Sequence, residues 1–321
     1  GAIEELESRG YNITSVAGCS IGSLVGGIYA AGGLEDFKKW LFQLNNYKLL
    51  SLLDVSLSKS YLVKGEKVIE AIKKVVPNVN IEDLRIPYRA VATDLYTGEE
   101  VVFREGRLFD AIRASISIPS LFRPVKYGYH TLIDGGAVNT APFSIVPRNG
   151  HDILVSFDVN QLDSQKIAGY VKELEDARDA DPELHEEIAA ILAPISSKKK
   201  LSLLDMVKAV GGEAQRVIRE NRTAEEKVKA IEGRAAVEKM PFAEDDNYYS
   251  ILSRTFSLML RTIANLQLAM YRPDVLVKMS FDSYSTITDY AKGEEIAEKG
   301  RALMAEALDR YETTSLQGCR R

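Results

Sequence analysis

The segment Gly18-Cys19-Ser20-Ile21-Gly22 decides the fold that this chain is expected to adopt. Apolar residues 13–17 before it predict a short buried strand. After it, apolar side chains follow the spacing of a helix at Ile21, Leu24, Val25 and Ile28. A serine at such a strand-to-helix turn needs small neighbours, and we expect side chains at both Gly18 and Gly22 to collide where the backbone doubles back.

This turn is expected to present the Ser20 hydroxyl above the edge of a sheet. The N–H groups at the start of the following helix, beginning with that of Ile21, point to the same place and suit a developing negative charge. Ser20 is therefore a candidate nucleophile. The alternative interpretation makes Ser20 a helix N-cap beside glycines that serve only packing.

A serine hydroxyl is a poor nucleophile unless a neighbouring base takes its proton. Each of the chain's 3 histidines is interpreted better as a structural or exposed residue than as that base: His130, His151 and His185. Asp134 ends the apolar strand Leu132-Ile133, and Gly135-Gly136 follow it. Two glycines let the backbone turn sharply and leave space around the carboxylate. Taken alone, this pattern also fits an ordinary turn aspartate.

Strands that alternate with helices predict an α/β fold with some antiparallel pairing. One hairpin is expected around Thr97-Gly98 and a second around Gly128. Strands are predicted at residues 88–93, 101–103, 125–133, 153–157 and 275–279. Helices are predicted at residues 2–8, 21–28, 34–44, 66–75, 108–115 and 293–311.

Residues 161–250 are charged and poor in strand-forming residues, which predicts helices joined by loops. We therefore expect three parts. Residues 1–160 form the core, residues 161–250 form a helical insertion, and residues 251–321 return to the core sheet and end in a helix.

The amino-acid composition argues against several classes of function. The chain has 321 residues, 45% of them hydrophobic, which is enough for one large core. A net charge of −5 gives no electrostatic reason to expect nucleic acid, and 2 cysteines are too few for a disulfide framework and lack metal-ligand spacing. No apolar run is long enough to span a membrane. We expect a soluble protein and favour the cytoplasm, while a targeting signal upstream of Gly1 stays compatible with the sequence.

Several ordered motifs across residues 1–160 together resemble the patatin-like phospholipase family. They are G-C-S-I-G at residues 18–22, A-T-D-L-Y-T-G at 92–98, A-I-R-A-S-I-S-I-P at 111–119, F-R-P at 122–124, and D-G-G at 134–136, followed by Asn139 and Pro142. The C-terminal part resembles the family more loosely, and residues 161–250 have no match. The resemblance implies a three-layer α/β/α fold whose sheet is mostly parallel with some antiparallel pairing.

The resemblance further implies an enzyme that hydrolyses lipid esters with a Ser-Asp dyad. Ser20 would attack the acyl carbonyl, Asp134 would accept its proton, and water would hydrolyse the resulting acyl-enzyme. The residues that shape the two turns and support the oxyanion would be Gly18, Ile21, Gly22, Gly135 and Gly136. No metal and no cofactor is implied. The expected partner is a lipid or ester substrate, reached through brief peripheral contact with a membrane, and the oligomeric state stays open.

The family also has a glycine-rich oxyanion loop, of the form G-G-G-x-R-G, just before its first helix. This sequence starts inside what resembles that helix. We expect the loop upstream of Gly1, with the Ile21 N–H as a further donor. Loss of a single oxyanion donor costs about 10²–10³ in rate, so a protein without the loop would be nearly inactive.

Two rival interpretations remain. A conventional α/β-hydrolase esterase would need a Ser-Asp-His triad, and no histidine follows His185. A catalytically inactive patatin-like module would serve as a lipid-binding or scaffold protein. The apolar stretch that includes Ile251 and Leu260 is interpreted as a plain core helix, with the lining or cover of an acyl channel as the alternative.

Overall fold

A computed structural model of the chain describes residues 1–44, 61–162, 248–280 and 292–318, with the shorter pieces 48, 51–52, 54, 167–169 and 171–172. The chain divides into two compact units. One comprises Gly1–Asp163 with Asn247–Arg321, and the other comprises Ser164–Asp246. Nearly all of the second unit lies outside the described residues, so the predicted helical insertion at 161–250 stays a prediction.

The described helices and strands alternate along the first unit. The helices are α1 (Ala2–Ser8), α2 (Ile21–Ala30), α3 (Leu34–Phe42), α4 (Glu66–Ile72), α5 (Leu108–Ser115), α6 (Tyr248–Tyr271) and α7 (Gly293–Gly318). The strands are β1 (Val16–Cys19), β2 (Tyr61–Val63), β3 (Tyr88–Asp94), β4 (Glu100–Phe103), β5 (Ser120–Phe122), β6 (Val125–Tyr127), β7 (His130–Asp134), β8 (Val155–Gln161) and β9 (Val275–Ser280). The predicted α/β class and both predicted hairpins are confirmed.

The central sheet is mixed. Strand β3 pairs in parallel with β1 and antiparallel with both β4 and β7, and β6 pairs antiparallel with β7. Two separate parallel pairs, β2 with β5 and β8 with β9, complete the described strands. The sheet was expected to be mostly parallel, whereas three of the six strand pairs among the described residues are antiparallel.

Strands β1 and β7 lie along the same edge of β3. Because β4 pairs with residues of β3 that also pair with β1 and with β7, β4 must occupy the opposite edge. Strand β1 runs along the shared edge until Cys19 lies opposite Val91. Strand β7 runs in the other direction until Asp134 lies opposite Ala92. The two strands therefore end facing each other at neighbouring positions of β3.

Two apolar clusters hold the first unit together. The larger cluster packs α2 and α5 against β3, with Ile28, Leu108 and Ile112 completely buried. The smaller cluster joins α1, α7 and β9 around Val275 and Leu308. Since α2 and α5 both rest on the central sheet, the turns at their ends are fixed relative to the strand ends beside them.

Helix α6 corrects one prediction. The stretch was interpreted as a plain core helix, yet Ile251, Leu258, Met259 and Leu266 are all exposed, and of the residues with described side chains only Ala264 is buried. Apolar composition alone does not reveal whether a helix face has a partner. No helix in the described part of the chain combines the length and apolarity needed to cross a membrane.

Candidate active site

The strand-to-helix turn at Ser20 is strained. Ser20 has φ 52° and ψ −125°, a conformation on the positive-φ side that residues other than glycine rarely adopt. A Cβ atom on Gly18 would overlap the carbonyl group of Gly22, whereas a Cβ on Gly22 would meet nothing within 4 Å. The expected collision is therefore confirmed at Gly18 and wrong at Gly22, because only the Gly18 side of the turn faces backbone.

The serine and the aspartate meet where β1 and β7 end. The Ser20 hydroxyl donates a hydrogen bond to Oδ2 of Asp134 at 2.5 Å, across 114 positions of sequence. Asp134 is buried and Ser20 is partly exposed. The hydroxyl of a partly exposed serine therefore lies against the carboxylate of a buried aspartate.

The surroundings of Asp134 make it a stronger base than an ordinary aspartate. Burial raises its pKa to about 6, and hydrogen bonds from Ser20, the Gly136 N–H and the Cys19 thiol oppose that rise. The Gly136 N–H donates to Oδ1 at 2.8 Å, and the Cys19 Sγ lies 3.8 Å from the same oxygen. Burial and the Asp134 charge raise the pKa of the Cys19 thiol well above its usual value, so the thiol stays neutral.

The paired glycines after Asp134 allow two close approaches. A Cβ atom on Gly135 would overlap the backbone carbonyl of Val91, and one on Gly136 would press on Leu260 of α6. A short 3-10 turn at Gly135–Ala137 brings the Gly136 N–H back to the carboxylate. The expected sharp turn is present, and it also supplies a donor to Asp134 that the sequence analysis did not foresee.

The last residue of α5 and the short segment that follows it hold both halves of the site. The Ser20 N–H donates to Oγ of Ser115 at 3.0 Å, and the Asp134 N–H donates to the carbonyl of Ser117 at 2.9 Å. Both serines are completely buried. The sequence analysis missed them, although Ser115 and Ser117 alternate with Ile116 and Ile118, which was a signal that buried polar groups here have specific partners.

Arg113 anchors this segment. Its Nη1 donates to Oγ of Ser117 at 2.8 Å, and its Nη2 donates to the carbonyls of Lys64 and Arg123. Burial lowers the pKa of the Arg113 guanidinium. Its contacts join the region before α4 to the segment that contacts the Ser20 backbone.

A second set of contacts docks α6 on the loop after Asp134. Gln267 donates through Nε2 to Oδ1 of Asn139 at 2.6 Å and accepts the Ala141 N–H at 2.8 Å. Asn139 in turn donates to Glu100 of β4 at 2.8 Å. Asn139, which belongs to the family resemblance given above, thus links β4 with α6.

The described histidines make other contacts. The distance between Nδ1 of His130 and Oδ2 of Asp94 is 2.6 Å. Hydrogen bonds from the Tyr96 N–H and from His130 hold the pKa of Asp94 below its usual value. His151 is exposed and donates its backbone N–H to Asn149 at 3.0 Å. His185 lies outside the described residues.

The start of α2 is the candidate site for an oxyanion. The first N–H groups of a helix have no partner within the helix, and Ile21 and Gly22 are the first two residues of α2, directly after Ser20. Developing negative charge is favourable there. The arrangement brings a candidate nucleophile, Ser20, and a candidate base, Asp134, together beside the first N–H groups of α2.

The sequence of this chain is similar to one described family and to several curated relatives. Residues 1–147 match a family model described as patatin-like phospholipase. An uncharacterized NTE family protein of Mycobacterium tuberculosis is 29% identical over 326 residues, which is 97% of this chain and 88% of the relative. Lysophospholipase NTE1 of Cryptococcus neoformans is 30% identical over 53% of this chain and 11% of its own length. Patatin-like phospholipase domain-containing protein 6 of Mus musculus is 29% identical over 53% of this chain and 13% of its own length.

The turn geometry predicts unequal effects at its two glycines. Gly18→Ala should destabilise the protein by about 3 kcal/mol, because the new Cβ overlaps backbone that cannot move without disturbing the Ser20 turn. Gly22→Ala should leave stability within about 1 kcal/mol of the parent, since alanine favours helix and the site has space. Urea unfolding followed by circular dichroism measures both. Equal losses would contradict the one-sided collision.

The raised pKa of Asp134 predicts a stability effect that depends on pH. The pKa of Asp134 is about 6 in the folded protein and near 3.8 in the unfolded chain, so the folded protein binds this proton more tightly. The bound proton therefore stabilises the folded state. This contribution is complete below the unfolded pKa and is lost as the pH rises through about 6. The whole effect is about 3 kcal/mol. The free energy of unfolding of Asp134→Asn, minus that of the parent, should therefore be about 1–2 kcal/mol larger at about pH 8 than at about pH 5. Urea unfolding at both pH values measures this difference.

Asp152→Asn is the matched control for that experiment. A hydrogen bond with Arg148 lowers the pKa of Asp152. The stability that ionised Asp152 contributes is therefore already complete at about pH 5. The difference between Asp152→Asn and the parent should be the same at both values. A pH-independent difference for Asp134→Asn would show that the carboxyl titrates normally.

Proposed function

We propose that this chain is a lipid ester hydrolase of the patatin-like phospholipase type, with Ser20 as its nucleophile and Asp134 as its general base. The observation that carries this proposal is the 2.5 Å hydrogen bond between the Ser20 hydroxyl and Oδ2 of Asp134. A general base must lie within hydrogen-bond reach of the proton that it takes, and this one does.

In the first half of the proposed reaction, ionised Asp134 takes the hydroxyl proton while Oγ of Ser20 attacks the acyl carbonyl carbon. The carbonyl oxygen becomes an anion beside the Ile21 N–H and the positive end of α2. The bond to the leaving alcohol then breaks, and Asp134 returns its proton to that alcohol. The product of this half is an ester between the acyl group and Ser20.

The second half restores the enzyme. Asp134 takes a proton from water, the resulting hydroxide attacks the acyl carbon, and the bond to Oγ of Ser20 breaks. The proton held by Asp134 passes to Ser20, and a carboxylic acid leaves. No step consumes anything other than the ester and water.

A carboxylate can serve here without a histidine because burial adjusts its basicity. At a pKa of about 6, Asp134 is largely ionised at neutral pH yet holds a proton better than an exposed aspartate. Its second oxygen is held by the Gly136 N–H, so Oδ2 stays directed at Ser20. Position and burial together replace the usual imidazole.

For the substrate we propose a phospholipid or lysophospholipid with at least one long acyl chain. The support is the family itself and the printed name of one relative, a lysophospholipase. Ser20 is partly exposed at the sheet edge, where a long acyl ester can reach it from solvent or from a lipid aggregate.

Steady-state hydrolysis of p-nitrophenyl esters of increasing chain length tests the dyad. Ser20→Ala and Asp134→Asn should each lower kcat by about 10⁴-fold, since either change removes the proton transfer or its acceptor. Asp158→Asn is the matched control, a buried aspartate on β8 that should keep normal turnover. A preference for long chains would support a lipid substrate, and a preference for acetate would point to a general esterase.

Two outcomes would contradict this proposal. If His185→Ala abolished turnover while Asp134→Asn kept it, a histidine triad would be the correct mechanism. If a fluorophosphonate probe failed to label Ser20 in the unchanged protein, the serine would be unactivated and the chain a lipid-binding module. Mass spectrometry of the labelled peptide identifies the site directly.

A further inference from the structure

One stripe of helix α6 packs against the loop that follows Asp134. The residues of this stripe recur every three or four positions and therefore share one face of the helix: Leu260, Ala264, Gln267 and Tyr271. Ala264 is 1% exposed, whereas Leu258 and Leu266, which lie off the stripe, are exposed. We call these four residues the docking stripe. Its contacts with the loop run from Gly136 to Phe143, whose ring lies 5.5 Å from that of Tyr271.

The Leu260 end of the docking stripe covers Gly136. A Cβ atom on Gly136 would lie 2.5 Å from Cδ2 of Leu260, so the glycine backbone and the leucine side chain are in direct contact. The Thr140 hydroxyl lies 3.2 Å from the Gly136 carbonyl oxygen and 3.4 Å from the Leu260 carbonyl oxygen, and it bridges the same two residues. Gly136 is also the residue whose N–H donates to Oδ1 of Asp134. Helix α6 therefore packs directly on the group that orients the carboxylate.

Gln267 fixes the other end of the loop, about two helical turns further along α6. Its Oε1 accepts the Ala141 N–H at 2.8 Å, and its Nε2 donates to Oδ1 of Asn139 at 2.6 Å. Asn139 is 5% exposed, and its Nδ2 donates to Glu100 at 2.8 Å. The Asn139 N–H donates to the Gly135 carbonyl at 2.9 Å. Asn139 is thus held from several sides, and Gln267 supplies the contact from α6.

Helix α6 lies outside the part of the chain that matches the family model. The match covers residues 1–147, whereas α6 spans Tyr248–Tyr271. The loop after Asp134 is inside the match, so a loop of the matched segment is packed against a helix from beyond it. The position of this loop therefore depends on a part of the sequence that the family match does not include.

We propose that Gln267 and Leu260 are positioning residues for Asp134, acting on it through the loop and the Gly136 N–H. This inference rests on the proposed function, since it takes Asp134 to be the base of the reaction. Oδ2 is directed at Ser20 while Oδ1 is held by the Gly136 N–H, and the docking stripe fixes the residue that supplies this N–H. A misplacement of about 1 Å in a reacting group can cost about 10²-fold in rate.

Gln267→Met tests the proposal, because methionine has nearly the length of glutamine and no amide. The variant should lower kcat for p-nitrophenyl acetate by about 30-fold, since a misdirected base slows the chemical step. Its KM should stay within about twofold of the parent value, because substrate binding is untouched. Leu260→Ala should lower kcat in the same way by loosening Gly136. Each kcat is divided by the folded fraction measured by circular dichroism, so a merely structural role would leave it unchanged.

A second measurement shows whether Gln267 acts through Asp134. In the parent, Gln267→Met should slow fluorophosphonate labelling of Ser20 by about 30-fold. In the Asp134→Asn background, the same change should alter the residual labelling rate by less than about twofold, because the carboxylate that it positions is gone. Equal factors in both backgrounds would overturn the proposal, since Gln267 would then act on something other than the base.

Gln161→Met is the matched control. Gln161 is also half-buried and also contacts α6, with its Nε2 3.5 Å from Oδ1 of Asn265, but it lies on β8 and not against the loop after Asp134. This variant should keep the parent kcat. An equal loss of kcat in both glutamine variants, or a parent kcat in Gln267→Met, would overturn the proposal.

Failure of the proposed function would give a different pattern. If Asp134→Asn kept the parent kcat, Asp134 would not be the base, and both proposals would be wrong. If Asp134→Asn lost turnover while Gln267→Met and Leu260→Ala kept it, the dyad would stand and only the role of α6 would be wrong.

Discussion

The hydrogen bond between the Ser20 hydroxyl and the Asp134 carboxylate is the interaction on which the rest of this structure depends. It exists because β1 and β7 share one edge of β3 and end there facing each other, opposite Val91 and Ala92. Pairing with β3 fixes β7 up to Asp134 and β1 up to Cys19, the residue before Ser20, which is tighter positioning than a loop provides. The remaining contacts of the site, at Ser115, Ser117 and Gly136, hold the two strand ends in that relation.

Holding this pair costs stability, and the core offsets the cost. Ser20 adopts a positive φ, a conformation that costs about 1–3 kcal/mol for a residue other than glycine. Asp134 is a carboxylate with almost no access to water, and Arg113 is a largely buried cation nearby. Against these stand completely buried apolar side chains on α2 and α5, each contributing about 1.5–3 kcal/mol by leaving water. Strain and burial are concentrated where the chemistry is proposed to occur, as expected for a site under functional constraint.

The sequence predicted those parts of the fold that have local signals. Helix α5 has the predicted bounds, because its apolar spacing and the following Pro119 are both local. The two hairpins followed from glycine turns between apolar runs. The meeting point of β1 and β7 carried no such signal, and only the resemblance to a known family paired Ser20 with Asp134 in advance. Ser115 was missed because its contact with Ser20 spans 95 positions and uses a backbone N–H, which leaves no periodic pattern.

The pH dependence of Ser20 acylation tests the central claim most directly. The rate of fluorophosphonate labelling should rise with pH, level off above a midpoint near 6, and keep that midpoint when His130, His151 and His185 are each replaced by glutamine. Such a profile assigns the proton acceptor to the buried carboxylate. A midpoint that moves or disappears when one histidine is replaced would contradict the account, because the base would then be an imidazole.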